Sequence, residues 1–114
     1  MRIELEAPTT IDAAAECRLR AILINDGYQP AAVARSAFVG PNLHPEGPGG
    51  LLGPDSVEAT FGQPDEPLTL QPFTFYGRER TWTALPPGDM VVSASYRSAD
   101  GMVDISATRR LRVQ

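Results

Sequence analysis

Apolar and polar residues alternate regularly along the C-terminal segment DMVVSASYRSADGMVDISATRRLRVQ. This period of two predicts two strands, because successive side chains of a strand point to opposite faces. Asp100-Gly101 between them predicts a two-residue type I′ turn, in which both central residues take a positive φ. With that turn Tyr96 faces Ile105 and the apolar faces of the two strands coincide, whereas a slip of one residue would separate them. We therefore expect a β-hairpin in this register.

Arg109 breaks the pattern, because it occupies an inward position of the second strand, opposite Val92. Its side chain either reaches out to solvent, sits at a bulge beside Arg110, or forms a buried ion pair with a carboxylate of the first strand. Sequence alone leaves these alternatives open.

Two further alternating segments lie near the N-terminus. RIELEA places Ile3 and Leu5 on an inward face and predicts the first strand. CRLRAILIND places Cys17 and the apolar residues at 19, 21 and 23 on one face, while Ile22 and Ile24 make the other face apolar as well. Apolar residues on both faces indicate a strand covered on both sides, or an exposed patch used for contact, including contact in a homodimer.

The middle of the chain alternates less cleanly. INDGYQP is typical of a turn, and AAVARSAFV, SVEATFG, PLTLQPFTFYG and RERTWTAL each predict a short strand. The apolar phase moves across Pro72, from positions 68 and 70 to positions 73 and 75, which predicts a sheet edge or a bulge there. Seven or eight short strands separated by turn signals predict one all-β domain, residues 1–114, folded as an antiparallel β-sandwich.

Residues 40–54, GPNLHPEGPGGLLGP, contain nine glycines and prolines. Such a segment can form neither a helix nor a central strand, and it predicts a long Pro/Gly-rich loop. Ordering this backbone costs about 15–30 kcal/mol, whereas burying each of its three leucines returns about 1.5–3 kcal/mol. The loop therefore either lies along the core or stays mobile until a partner orders it. The residues that we expect to contact a partner are Asn42, Leu43, His44, Leu51 and Leu52.

Four aromatic residues, Phe73, Phe75, Tyr76 and Trp82, lie close together in sequence. In a domain of this size large side chains mostly fill the core, and Trp82 is expected at its centre. The alternative is an exposed surface around Tyr76 that stacks sugars or peptide side chains. Tyr76 is therefore a sixth candidate binding residue.

Composition narrows the classes of function. The chain has 114 residues, of which 42% are hydrophobic, and a net charge of −4. No apolar run is long enough to span a membrane, and MRIELEAPTTID lacks the apolar stretch of a signal peptide. The acidic balance counts against nucleic-acid binding, and a single cysteine favours a reducing compartment. We expect a cytoplasmic protein, unless an export signal has been removed.

Few residues could carry catalysis. Cys17 and His44 are the single cysteine and histidine, and the inward position of Cys17 argues against a nucleophile. Zinc would need more nitrogen and sulfur ligands than the chain offers. The middle third is acidic but lacks the regular carboxylate spacing of a calcium loop; its candidate ligands are Asp55, Glu58, Asp65 and Glu66. The sequence predicts no catalytic residue, no metal site and no cofactor, and therefore a protein that is not an enzyme.

Two segments carry a resemblance to known domains. APTTIDAAAECRLRAILINDG resembles the opening of bacterial immunoglobulin-like domains, in which an N-x-G turn follows a long second strand. TWTALPPGDMVVSASY resembles a later segment of those domains, and similar segments occur in fibronectin-like modules and in the intracellular proteinase inhibitor family. The resemblance implies an immunoglobulin-like sandwich and, through the last family, a protein that blocks a proteinase.

Three functions follow as hypotheses. The first, which we favour, is a non-catalytic protein–protein interaction module that binds through residues 40–54 or through a strand edge. The second is a proteinase inhibitor that presents the same loop. The third is a carbohydrate- or small-ligand-binding sandwich that uses Tyr76 and its aromatic neighbours.

Overall fold

The computed structural model describes residues 1–56, 58–62 and 67–114, which form ten strands and one short turn of 3₁₀ helix. The strands are β1 (Arg2–Glu6), β2 (Thr10–Ile11), β3 (Cys17–Ile24), β4 (Ala31–Val33), β5 (Phe38–Pro45), β6 (Ala59–Gly62), β7 (Leu68–Leu70), β8 (Phe75–Trp82), β9 (Gly88–Arg97) and β10 (Asp104–Val113), with the 3₁₀ turn at Arg35–Ala37. No helix in these ranges is long and apolar enough to cross a membrane.

The strands form two four-stranded sheets and one small sheet. The first sheet has the order β1-β3-β8-β6, the second has the order β2-β10-β9-β5, and β4 pairs with β7. All pairings are antiparallel except that of β2 with β10, which is parallel. The described part of the chain is therefore all-β, as the alternating pattern predicted.

Both four-stranded sheets contribute to one hydrophobic core. The predicted inward face of β3 is confirmed, because Cys17, Leu19, Ala21 and Leu23 are fully buried. Trp82 is 1% exposed and its indole N–H donates a hydrogen bond to the carbonyl of Leu52 at 3.0 Å, so its predicted central position is confirmed. Burial of so many apolar side chains supplies the main driving force for the fold.

The predicted hairpin register is confirmed, since Tyr96 pairs with Ile105 and Arg109 pairs with Val92. The predicted turn type is wrong, because a type I′ turn requires a positive φ at Asp100, and among the described residues only Phe73 and Ala84 show this besides glycines. A four-residue loop, 99–102, replaces the two-residue turn. It leaves the register unchanged, because both loops close the same pairing.

Hydrogen bonds to the Asp100 carboxylate explain this loop. It accepts the Ser98 hydroxyl at 2.6 Å and the Met102 N–H at 2.9 Å, while the Gly101 N–H donates to the Ser98 carbonyl at 3.0 Å. These bonds favour the ionised carboxylate and lower the pKa of Asp100, with the Ser98 hydroxyl as the larger cause. An aspartate in a turn commonly bonds to the backbone two residues on.

Arg109 reaches solvent, which was the first of the three alternatives. Its side chain is exposed, and Nη1 donates a hydrogen bond to the carbonyl of Leu5 at 3.0 Å. A bulge is excluded because β10 pairs with β9 without interruption. The buried ion pair is wrong because the guanidinium is exposed and bonded to a backbone carbonyl.

The segment AAVARSAFV is not one strand, as the sequence had suggested. Its first part is β4, which pairs with β7, and the 3₁₀ turn then leads into β5 in another sheet. The prediction of a sheet edge or bulge at Pro72 is also wrong, because Pro72 lies between β7 and β8 and belongs to neither strand. Phe73 and Phe75, which follow it, are not inward but 66% and 43% exposed. Phe73 has a φ of 61°, which turns the chain there and sets Tyr76 and Trp82 as the inward positions of β8.

The segment 40–54 is not a loop throughout. Its first six residues belong to β5, which lies at a sheet edge, where prolines are tolerated. A register irregularity falls at Gly40 and Pro41, which are joined by a cis peptide bond. The Leu52 N–H then donates to the carbonyl of Leu43 at 2.8 Å. The segment therefore lies along the core, and its exposed residues are 46–51, 53 and 54.

Candidate functional site

The outward face of the first sheet carries an apolar groove. It is formed by residues that lie next to each other across neighbouring strands. In one row Glu4 of β1, Ile22 of β3, Gly77 of β8 and Phe61 of β6 lie side by side. The next row places Ile24 beside the Phe75 position. We call the depression over these rows the outer groove.

Gly77 shapes the floor of the outer groove. A Cβ atom at this position would lie 2.2 Å from Cζ of Phe61, so only glycine lets the Phe61 ring lie flat across β8. The ring also makes an edge-to-face contact with Phe75, with 5.9 Å between centroids. The Arg20 guanidinium lies 5.4 Å from the Phe61 centroid, which is the geometry of a cation–π contact. Two aromatic rings thus form one wall of the groove.

A buried asparagine fixes the backbone at the end of the outer groove near Phe73. Asn25 is 3% exposed, and its backbone exchanges hydrogen bonds with the neighbouring loop: Asn25 N–H to Thr74 O at 3.0 Å, and Phe73 N–H to Asn25 O at 2.7 Å. Its side-chain amide donates to the carbonyls of Gln29 and Leu70, at 2.8 and 3.0 Å. Phe73 is therefore presented to solvent from a fixed backbone.

The outer groove has a volume of about 460 Å³, within the usual range of ligand sites. Its lining is formed by Glu4, Glu6, Arg20, Ile22, Ile24, Phe61, Phe73, Thr74 and Phe75. Arg20 is already ion-paired with Glu79 at 2.8 Å and with Glu6 at 3.6 Å. Among the described residues, Glu4 has only a solvent-exposed contact with Arg2 at 3.4 Å, which is worth little in water. Glu4 is thus the carboxylate most available to a ligand.

The lining of the outer groove is mainly apolar and aromatic, with two glutamates and one arginine. It contains no nucleophilic thiol, no histidine and no serine. Cys17 lies in the core, where burial raises the pKa of its thiol and disfavours the reactive thiolate. No cluster of three or more metal-ligating side chains occurs among the residues that the structure describes.

A second group of charged residues, which the sequence did not indicate, joins the two large sheets. Arg78 Nε lies 2.9 Å from Glu58 Oε1, and Arg78 Nη1 donates to the carbonyl of Phe38 in β5. Arg80 Nη2 lies 2.8 Å from Glu58 Oε2, and Arg80 Nη1 donates to Asn42 Oδ1 at 2.9 Å. These side chains are 12–29% exposed, so we interpret the group as a structural link between β8 and β5.

The candidate residues of the segment 40–54 do not form one surface. Leu43 is fully buried, which corrects the expectation that its side chain contacts a partner. Asn42 binds Arg80, and Leu52 packs against the core. His44 is half-buried, with Nδ1 3.2 Å from the carbonyl of Pro45. Leu51, at 66% exposure, is the one apolar side chain of this set that solvent reaches freely.

Tyr76 is also in the core, at 2% exposure, where its ring contacts Phe38 edge-to-face. The expectation of a ligand surface at Tyr76 is corrected by this burial. The exposed rings of the neighbourhood belong to Phe73 and Phe75 instead.

The acidic residues of the middle third have separate partners. The Asp55 carboxylate accepts the Thr83 N–H at 3.0 Å, and Glu58 pairs with two arginines. Asp65 and Glu66 lie outside the described residues.

Part of the outer groove could be anticipated, because the apolar outward positions of β3 already indicated a contact surface. Phe61 and Gly77 were missed, although a glycine inside a strand pattern is a known sign of close approach by another group. Comparison with known proteins adds no further constraint: no family model, curated protein sequence or solved structure matches this chain.

Proposed function

We propose that this protein is a non-catalytic interaction module that binds an extended segment of a partner protein in the outer groove. The observation that carries the proposal is the exposure of Phe73 and Phe75 beside the half-buried Ile22 and Ile24 on one sheet face. Contiguous exposed apolar surface of this kind marks interaction sites. Aromatic-lined grooves are a common means of holding extended peptides.

For the fold we propose an immunoglobulin-like sandwich. The order β1-β3-β8-β6 corresponds to the four-stranded sheet of such domains, and β10-β9-β5 corresponds to the three-stranded sheet that faces it. The similarity of the segments around β3 and β9 to bacterial immunoglobulin-like domains agrees with this assignment. The sheet faces of these domains offer wide, shallow surfaces, which suits a role in binding.

The chemistry of the outer groove defines the partner segment. Its floor and wall favour aliphatic or proline side chains, because they gain about 25 cal/mol for each Å² of apolar surface removed from water. Glu4, at the β1 side of the floor, favours a lysine or arginine next to the apolar residue. We therefore expect an extended ligand in which a basic residue flanks an apolar one.

A peptide selection tests this proposal. Random peptides displayed on phage are selected on the intact protein, and the enriched peptides are then measured for affinity to two variants. Phe75→Ser removes one of the two rings of the groove wall. Val39→Ser is a matched control, because Val39 is 45% exposed against 43% for Phe75 and lies in the other large sheet.

We expect Phe75→Ser to weaken binding of the selected peptides about tenfold or more, equivalent to about 1.4 kcal/mol, and Val39→Ser to leave it unchanged. Equal affinity for both variants would contradict a binding site in the outer groove. Loss with Leu51→Ser alone would move the site to Glu46–Leu51.

A second candidate function, proteinase inhibition, is favoured by one observation at Glu46–Leu51. This exposed loop is closed at both ends: the Glu46 N–H donates to the Asp89 carbonyl at 2.9 Å, and Leu52 bonds to Leu43. A loop fixed at both ends is preorganised for an enzyme cleft. Assays with a panel of serine and metalloproteases test it, and loss of inhibition on Leu51→Ser is the expected result. Absence of inhibition by the unaltered protein would dismiss this candidate.

A further inference from the structure

The outer edge of β10 is a long unpaired strand edge. β10 spans Asp104–Val113, but β2 pairs with it only at Arg112 and Val113. The stretch 104–110 has no strand on that side within the described part of the chain. It contains no proline, lysine or bulge, three features that protect many edges against further pairing. Its inward-phase charge, Arg109, is bonded to the Leu5 carbonyl at 3.0 Å.

The hydrogen-bonding direction along β10 follows from its two ends. The Ser98 N–H donates to Val103 O across the hairpin at 2.8 Å, so odd-numbered residues of β10 bond to β9. At the other end the Arg112 N–H donates to Thr9 O at 3.0 Å, away from β9. The outward N–H and C=O groups of the free edge are therefore those of Asp104, Ser106, Thr108 and Arg110.

We propose that a second copy of this chain pairs with this edge, β10 against β10 in antiparallel orientation, about a two-fold axis at Ala107. In this register Asp104 of each copy lies opposite Arg110 of the other, and Ser106 lies opposite Thr108. The paired residues are those whose backbone groups point outward, so each pair can exchange two hydrogen bonds. Such an isologous contact closes on itself as a dimer.

Charge supports this register over its neighbours. Each dimer contains two Asp104–Arg110 pairs of opposite charge, which stabilise adjacent strands. Arg110 is available, because its side chain is 82% exposed and its one ion pair within the described part of the chain, with Glu46, is itself exposed. A shift of the axis to Thr108 would place Asp104 opposite Arg112, where β2 already occupies the edge. A shift to Ser106 would leave Arg110 without an opposite charge.

Charge reversal tests the dimer directly. Sedimentation velocity at about 200 µM, a concentration suited to a small and weak interface, is recorded for the unaltered protein, for Asp104→Arg, for Arg110→Asp and for their equimolar mixture. We expect a dimer for the unaltered protein and at least tenfold weaker association for each single variant, because each places like charges opposite each other. The mixture should regain the dimer, since every reversed charge then meets an opposite one.

Recovery in the mixture cannot arise from an effect within one chain, such as the pairing of Asp104 with Arg97. A second variant does not depend on the charge changes: Ala107→Cys should cross-link on oxidation, because directly opposite residues of a non-hydrogen-bonded pair lie about 4.5 Å apart at Cα, within disulfide range. Met102→Cys, at an 84% exposed position off the axis, is the control that should not. A monomeric unaltered protein, a dimer that survives both single reversals, or a mixture that stays monomeric would overturn the proposal.

Discussion

Replacing Gly77 by alanine perturbs the outer groove at its floor. The added Cβ would lie 2.2 Å from Cζ of Phe61, and the next two contacts, at 2.3 and 2.8 Å, are also with that ring. Because the three nearest contacts are all with one side chain on an edge strand, the ring should move and the backbone should stay. The variant therefore displaces the Phe61 ring of the aromatic wall while keeping the fold.

The size of the effect follows from the contacts that Phe61 would lose. The edge-to-face contact with Phe75 is worth about 0.5–1.5 kcal/mol, and the cation–π contact with Arg20 is worth about 0.5–1 kcal/mol. The alanine itself adds about 0.5–1 kcal/mol to the unfolding free energy, because glycine is unfavourable inside a strand. At the middle of these ranges the net loss of unfolding free energy is about 1 kcal/mol, and peptide affinity should fall about tenfold or more.

Urea unfolding measures the stability change, with a midpoint expected to fall by about 0.3–1 M. Gly53→Ala is the control, since a Cβ there would meet no atom within 4 Å. The same Gly77→Ala change in a Phe61→Ala background should be neutral or stabilising, because the clash is gone. An equal cost in both backgrounds, or unchanged peptide binding by the single variant, would refute the reasoning.

Three further predictions concern the core, the inter-sheet link and the hairpin loop. Glu58→Gln should lower the unfolding free energy in urea melts by about 1–3 kcal/mol, because two largely buried arginines lose their counter-charge. The control, Glu46→Gln at an exposed position, should change the unfolding free energy by less than about 0.5 kcal/mol. Equal effects of the two substitutions would contradict a structural link between β8 and β5. The Cys17 thiol, fully buried and with a raised pKa, should react with a thiol reagent only as fast as the protein unfolds, and rapid labelling of the folded protein would count against its placement. The pKa of Asp100 is lowered in the folded state, so its contribution to stability is present above the ordinary aspartate pKa and is lost as the pH falls through the folded value. Unfolding melts between neutral and acidic pH should therefore show a smaller loss of stability for Asp100→Asn than for the unaltered protein. An identical loss of stability would exclude this contribution.

The features that sequence predicted well are those set by neighbours in the chain. The β9–β10 register was accessible, because the alternating pattern and the loop position independently specify the same pairing. The inward face of β3 was accessible for the same reason, since one period of two decides which side chains are buried. The turn type could not be predicted, because it depends on hydrogen bonds to the Asp100 carboxylate, which favour a loop without a positive φ at Asp100.

The outer groove and the inter-sheet link depend on pairings between distant segments. Phe61 lies next to Gly77 only because β6 joins the edge of the first sheet beside β8. Arg78 occupies an inward phase of β8, yet it is satisfied by carbonyls and a carboxylate from elsewhere in the chain. No local sequence pattern predicts partners that lie so far apart in the chain. The segment 40–54 was misjudged for a related reason, since proline and glycine are compatible with a strand when that strand lies at an edge.

The measurement that tests the central claim most directly is amide chemical-shift mapping by NMR, with a selected peptide added to isotope-labelled protein. If the outer groove binds the peptide, the largest shifts should fall on Ile22, Ile24, Thr74 and Phe75, and the amides of Glu46–Leu51 should stay unchanged. Shifts confined to Glu46–Leu51 or to the opposite sheet would contradict a binding site in the outer groove.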